Sequence, residues 1–234
     1  MTERLPFLLV PGLNCSARIY THQVPALWQY GPVMIADHTQ GDSMETIARS
    51  ILASAPPMFA LVGYSMGGYL SFEILRQARD RVARLALIDT SARPDTPEQT
   101  RFRQQRVSQA QAGQFREVLD RQYPFLVHSS RHGDVALREF MTNMSMDEYG
   151  VENFVRHQNA IINRPDSRPD LAAIRCPTLV VVGDSDQVAI PEAAQEMARG
   201  IKGSRHVIVP ECGHMSVLEK PDAVNAALRE WING

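Results

Sequence analysis

Three residues in this chain are of the types, and in the settings, that make a nucleophile. Ser65 stands in Gly63-Tyr64-Ser65-Met66-Gly67, after the apolar run Met58–Val62 and before a helical pattern that opens at Met66. A Gly-x-Ser-x-Gly between a buried strand and a helix puts the serine on a sharp turn with its hydroxyl exposed. Gly63 and Gly67 carry no Cβ to crowd that turn. The helix start aims unpaired N–H groups and a positive dipole end at the serine oxygen. A serine hydroxyl still needs a base, and the base an orienting carboxylate. His214, in Cys212-Gly213-His214, supplies an imidazole just past the strand-like run Arg205–Val209. Asp186, in Gly183-Asp184-Ser185-Asp186, follows Thr178–Val182. Asp184 lies two residues earlier, and Asp89, in Leu87-Ile88-Asp89-Thr90, ends another strand-like run. Both compete with Asp186 for the carboxylate role.

The elements around these residues alternate. Strands are expected near 5–10, 33–36, 58–63, 84–89, 178–183 and 205–209, and helices near 18–29, 43–54, 66–79, 191–200 and 221–232. Strands alternating with helices predict a doubly wound α/β fold on a mostly parallel sheet of about six strands. Ligands of such a sheet bind outside the carboxyl ends of its strands, where Ser65, Asp186 and His214 all fall. From Ser91 to Leu171 the alternation stops. The stretch is rich in Arg, Gln and Met, and its patterns predict helices near 97–111, 114–123, 133–146 and 148–162. Asn163–Pro169, with two prolines, reads as the linker back to the sheet. The organisation expected is a core of residues 1–90 and 172–234 with residues 91–171 inserted.

Composition narrows the partners. The 234 residues suffice for one large α/β domain, and 44% of them are hydrophobic. A formal net charge of −2 without a basic stripe argues against nucleic acid. No apolar run reaches the roughly 18–20 residues that span a bilayer, and the start lacks a signal-peptide apolar region. Three scattered cysteines, Cys15, Cys176 and Cys212, point to reduced thiols and a cytoplasmic location. Cys15 has no base paired with it and is not read as catalytic. No metal-ligand spacing stands out, and no cofactor is expected. Asp42 or Ser43 reads as a helix cap, and His128 and His132 as exposed loop residues.

The chain resembles the α/β-hydrolase superfamily. Val10-Pro11-Gly12-Leu13, Gly63-Tyr64-Ser65-Met66-Gly67, Gly183-Asp184-Ser185-Asp186 and Gly213-His214 carry the resemblance. It implies a triad of Ser65, Asp186 and His214, with Asp186 preferred because the superfamily pattern is Gly-x-x-Asp followed by a proline, here Pro191. It also implies an oxyanion hole from the backbone N–H groups of Leu13 and Met66. Many members carry His-Gly where this chain has Pro11-Gly12, but the hole needs only a backbone donor. Many also begin with an antiparallel hairpin, and the ten residues before Pro11 predict its absence. The inserted segment becomes a helical cap. Phe125, Met141, Met144, Met146, Tyr149 and Phe154 are its candidates for an acyl pocket, or else for packing cap on core. The expected activity is hydrolysis of a small apolar carboxylic ester through an acyl-enzyme. Carbon–carbon bond hydrolysis, lactone or thioester hydrolysis, and a small-molecule receptor with a vestigial triad are the alternatives. The serine argues against a haloalkane dehalogenase, which uses aspartate.

Overall fold

Six strands pair into one sheet in the computed structural model, which describes residues 4–234. They are β1 (Phe7–Val10), β2 (Val33–Ile35), β3 (Phe59–Tyr64), β4 (Val82–Ile88), β5 (Thr178–Gly183) and β6 (Arg205–Val209), in the order β2-β1-β3-β4-β5-β6. All five pairings are parallel, so the mostly parallel expectation sharpens to an all-parallel sheet among the described residues. β3 and β5 are buried along their whole length. Covered on both faces, such strands read as continuous apolar runs and not as alternation. The helices are α1 (Gln23–Trp28), α2 (Met44–Ser54), α3 (Met66–Ala78), α4 (Pro97–Gln109), α5 (Phe115–Leu126), α6 (Val135–Asp147), α7 (Gly150–Ile162), α8 (Pro191–Gly200), α9 (Ser216–Glu219) and α10 (Pro221–Asn233).

Side-chain parity sorts the core into two layers, because successive strand residues point to opposite faces. Leu8, Leu61, Leu87 and Val180 pack with Ile47 and Ile51 of α2, Leu70 and Ile74 of α3 and Met197 of α8. Phe7, Leu9, Val62 and Val181 pack on the other face with Leu27 of α1 and Leu228 and Trp231 of α10. Ser43 caps α2 in a reciprocal pair with Thr46.

One expected helix is split. The 18–29 pattern becomes a tight turn over Ala17–Tyr20 and then α1. Pro25 gives the reason. In a helix running from 18 it would lack the bond to Thr21 and clash with that carbonyl, whereas in α1 it lies in the first turn, where no N–H is needed.

Helices α4 to α7 are inserted between β4 and β5. Gly113, in the left-handed region at φ +85°, kinks the chain between α4 and α5. Both ends of the insertion are tied at one buried ion cluster. Asp95 accepts from Arg103 at 2.7 Å and from Arg164 at 2.6 Å, and Arg164 Nε donates to the Arg93 carbonyl at 3.0 Å. The N–H of Ser167 reaches the Ala92 carbonyl at 2.8 Å.

Candidate active site

The turn between β3 and α3 holds Ser65 at φ +53°, ψ −116°, a conformation that L-residues rarely adopt. Its N–H donates to the Ile88 carbonyl at 2.9 Å, and its own carbonyl accepts from Thr90 Oγ1 at 2.8 Å, so the serine's backbone is pinned to the end of β4 and to the loop just after it. The turn also needs close contact. A Cβ on Gly67 would lie 1.9 Å from the Val10 carbonyl oxygen, and one on Gly63 would lie 2.5 Å from the Gly67 oxygen. The two glycines of the motif thus let α3 start directly against β1.

Ser65 Oγ lies 2.9 Å from His214 Nε2, and His214 Nδ1 lies 2.8 Å from Asp186 Oδ2. A carboxylate only accepts, so Nδ1 carries the ring proton and Nε2 is left to accept from the serine hydroxyl. The other oxygen of Asp186 takes the N–H groups of Val188 and Ala189, each at 2.8 Å, which fixes the carboxylate plane. Burial penalises the His214 cation, but the charge and hydrogen bond of Asp186 outweigh it and raise the pKa above the usual 6.5. Asp184 is turned elsewhere. It accepts from the N–H groups of Glu211 and Cys212, stapling the end of β5 to the loop after β6. Asp89 is fully buried one strand over and accepts from the Gly183 N–H and from the N–H and hydroxyl of Ser216. Burial and the charge of Asp186 push its pKa well up.

Met66 is the first residue of α3, so its N–H has no acceptor within the helix. Leu13 follows β1 across the same gap, and its N–H meets no acceptor among the described residues. The loop that carries Leu13 is braced by residues far away in sequence. His38 Nε2 donates to the Gly12 carbonyl at 2.9 Å, His157 Nε2 donates to the His38 carbonyl at 2.9 Å, and the Asn14 N–H donates to His157 Nδ1 at 3.1 Å. The Asn14 side chain is held by the Ser145 carbonyl and by Asn153 Nδ2, both at 2.9 Å. Accepting from the Asn14 N–H pins His157 as its neutral Nε2–H tautomer, whereas the buried Nδ1 of His38 meets no partner among the described residues. Burial lowers both pKa values, that of His157 to about 3. Asn14 itself sits at φ +51°, which asparagine tolerates better than most residues.

None of this brace was expected from the sequence. The available signal was Asn153 and His157, a polar pair at i, i+4 on the face of α7 that also carries buried Ile161.

A cavity of about 270 Å³ opens beside Ser65 and His214. Leu13, Met141, Met144, Phe154 and Phe125 line it, as does Cys15, whose thiol burial raises to about 12 and so keeps protonated. Two expected pocket residues lie elsewhere. Met141, Met144 and Ser145 share one face of α6, and Met146 is turned off that face into the cluster of Phe115, Val118 and Phe154. Tyr149 precedes α7 and meets the His38 ring edge-on at 5.7 Å. His128 lies in a loop as expected but is half-buried, its ring bonding Ser130 and its N–H donating to Glu219.

A parallel sheet with a strained serine turn and a serine–histidine–aspartate run at its carboxyl edge defines a fold class. The chain belongs to the alpha/beta hydrolase family, whose model matches residues 7–227. A thermophilic esterase from Thermogutta terrifontis is similar in structure, with TM-score 0.88 and 30% identity over 99% of this chain and 90% of that one. The protein BpoC of Mycobacterium tuberculosis, whose name assigns it to the non-heme bromoperoxidases, is 25% identical over 97% of this chain and 93% of its own length. A 2-hydroxy-6-oxononadienedioate/2-hydroxy-6-oxononatrienedioate hydrolase of Escherichia coli K12 is 29% identical over 74% of this chain and 61% of its own. No helix among the described residues is long and apolar enough to cross a membrane.

Proposed function

We propose that this chain is a carboxylic ester hydrolase that works through an acyl-enzyme. The observation that carries the reading is the hydrogen-bonded run from Ser65 through His214 to Asp186, opening on a largely apolar cavity. His214 Nε2 takes the hydroxyl proton as Ser65 Oγ attacks the ester carbonyl. The N–H groups of Leu13 and Met66 receive the developing oxyanion, and each such donor is worth about 3–4 kcal/mol of barrier. His214 then passes its proton to the leaving alcohol. Water repeats the sequence on the acyl-enzyme, with His214 again the base. Asp186 holds the imidazole tautomer and stabilises its cation throughout. Residues 91–171 act as the cap that selects the substrate. The esterase relative supports this reading, and the partner is a small-molecule ester met in the cytoplasm.

Carbon–carbon hydrolysis is the second reading. The Escherichia coli relative acts on an oxo-dienedioate, a compound with no ester bond to hydrolyse. Assay of p-nitrophenyl butyrate with wild type and Ser65→Ala tests the first reading. Wild type turns over, and the folded variant loses about a million-fold in kcat. A folded Ser65→Ala protein that keeps more than a few per cent of the rate refutes the serine. A wild type inert on esters but active on oxo-dienedioates moves the activity to the second reading, and one inert on both moves it to a receptor.

A further inference from the structure

The cavity beside Ser65 carries a charge that ester hydrolysis alone does not use. Gln99, Phe102, Arg103 and Arg106 line one wall of it, at the i, i+3, i+4, i+7 spacing of one face of α4. No Asp or Glu lines the cavity among the described residues. Arg103 is already engaged, donating to Asp95 at 2.7 Å and to Gln158 Oε1 at 2.9 Å. Asp95 is shared with Arg164, so a single carboxylate serves two guanidinium groups there.

Arg106 is different. Its guanidinium lies 4.1 Å over the Phe102 ring, and no carboxylate or other acceptor meets it among the described residues. Burial and the neighbouring Arg103 pull its pKa down to about 10, which leaves it a cation at neutral pH. A guanidinium offers five donors in a planar fork, and those of half-buried Arg106 meet no protein acceptor among the described residues, in a cavity wall without Asp or Glu. An anion in the cavity would find them free. Phe102 and Phe125 line the cavity while each is more than half exposed, so they mark its mouth. Arg106, stacked on Phe102, stands at that mouth, with Ser65 and His214 at the inner end.

Building on the ester hydrolase reading, we propose that Arg106 receives a carboxylate on the substrate. The substrate is then an acid-terminated ester, with its charged end at the mouth and its scissile carbonyl at Ser65. The planar fork matches a carboxylate through two parallel hydrogen bonds. One lining guanidinium without a protein acceptor among the described residues suits one negative charge better than the nearly double charge of a phosphate.

The test compares p-nitrophenyl hydrogen dicarboxylates of increasing length with p-nitrophenyl alkanoates of the same length. At the matching length, wild type prefers the acid-terminated ester by about ten- to hundred-fold in kcat/KM, the range for a hydrogen bond to a charged group. That preference collapses in Arg106→Gln and is partly kept in Arg106→Lys. A wild type with no such preference at any length overturns the proposal, as does a preference that survives in Arg106→Gln. If wild type hydrolyses no ester, the ester reading fails by itself, and calorimetric titration with glutarate and adipate decides the anion site. Binding to wild type that is lost in Arg106→Gln supports the site. No binding, or equal binding to both, overturns it. Inorganic phosphate binding more tightly than either dicarboxylate overturns the choice of a carboxylate.

Discussion

Asp89 and Asp186 end neighbouring strands and are both buried, yet only Asp186 faces His214 Nδ1. Asp89 spends its oxygens on Gly183 and Ser216. Replacing a triad acid by its amide lowers kcat about ten-thousand-fold, so Asp186→Asn is expected to be crippled while Asp89→Asn keeps turning over. Steady-state kinetics of the two purified variants reads this directly, and the reverse ranking would move the acid to Asp89. In the proposed mechanism His214 is the base and sets the pH dependence. Its base form is the active one, so kcat/KM climbs with pH along a limb centred above 6.5, the direction of its shift. Stability runs the other way. A raised native pKa means that the His214–Asp186 pair contributes fully below the unfolded value near 6.5, and that contribution fades as pH rises through the native pKa. A pH–rate profile with its acid limb below 6.5 would contradict the assignment. Ser65 and His214 were legible because their signals are local: a five-residue turn, and a glycine after a strand. Arg106 was not, because the absence of a partner is a property of the folded cavity and not of the helix that carries it.

At the scale of elements, α7 holds the loop that carries Leu13. The brace runs from His157 and Asn153 to Asn14, across more than a hundred residues of sequence. Removing it frees the loop without touching Ser65, His214 or Asp186. Misplacing a reacting or stabilising group by about 1 Å costs on the order of a hundred-fold, so His157→Ala is expected to lose ten- to hundred-fold in kcat with little change in KM. Affinity for a boronic acid that mimics the tetrahedral intermediate should fall in parallel. An unchanged kcat, or a loss confined to KM, would make the brace a packing feature only. The strands and most helices were readable in the sequence, since β3 and β5 are uninterrupted apolar runs and α2 is capped by its own Ser43. The split at α1 required weighing Pro25 against an otherwise helical pattern. The brace required knowing which helix faces which loop, and local periodicity does not carry that.

Across the whole molecule, the proposed chemistry resides on the loops at the carboxyl edge of the sheet, and selection falls to the inserted helices. Phe125 and Met146 both belong to the insertion, but only Phe125 lines the cavity. A change in an apolar pocket is worth about 1–3 kcal/mol. Phe125→Ala should therefore reorder a series of p-nitrophenyl alkanoates by about ten-fold or more. Met146→Ala should lower the melting temperature and leave that order alone. Equal effects of both variants on the order would remove the insertion as the selecting element. The reading of residues 91–171 as one insertion came from the loss of strand signals. Sorting Met144 from Met146 within it took the facing of α6, which two methionines separated by one residue do not reveal. In the proposed mechanism Ser65 alone forms the covalent bond to substrate. Mass spectrometry after inactivation by phenylmethylsulfonyl fluoride measures it most directly. One adduct per chain is expected, on the peptide containing Ser65, in step with loss of activity and absent from Ser65→Ala. An adduct on another residue, or full activity in the fully modified protein, would contradict it.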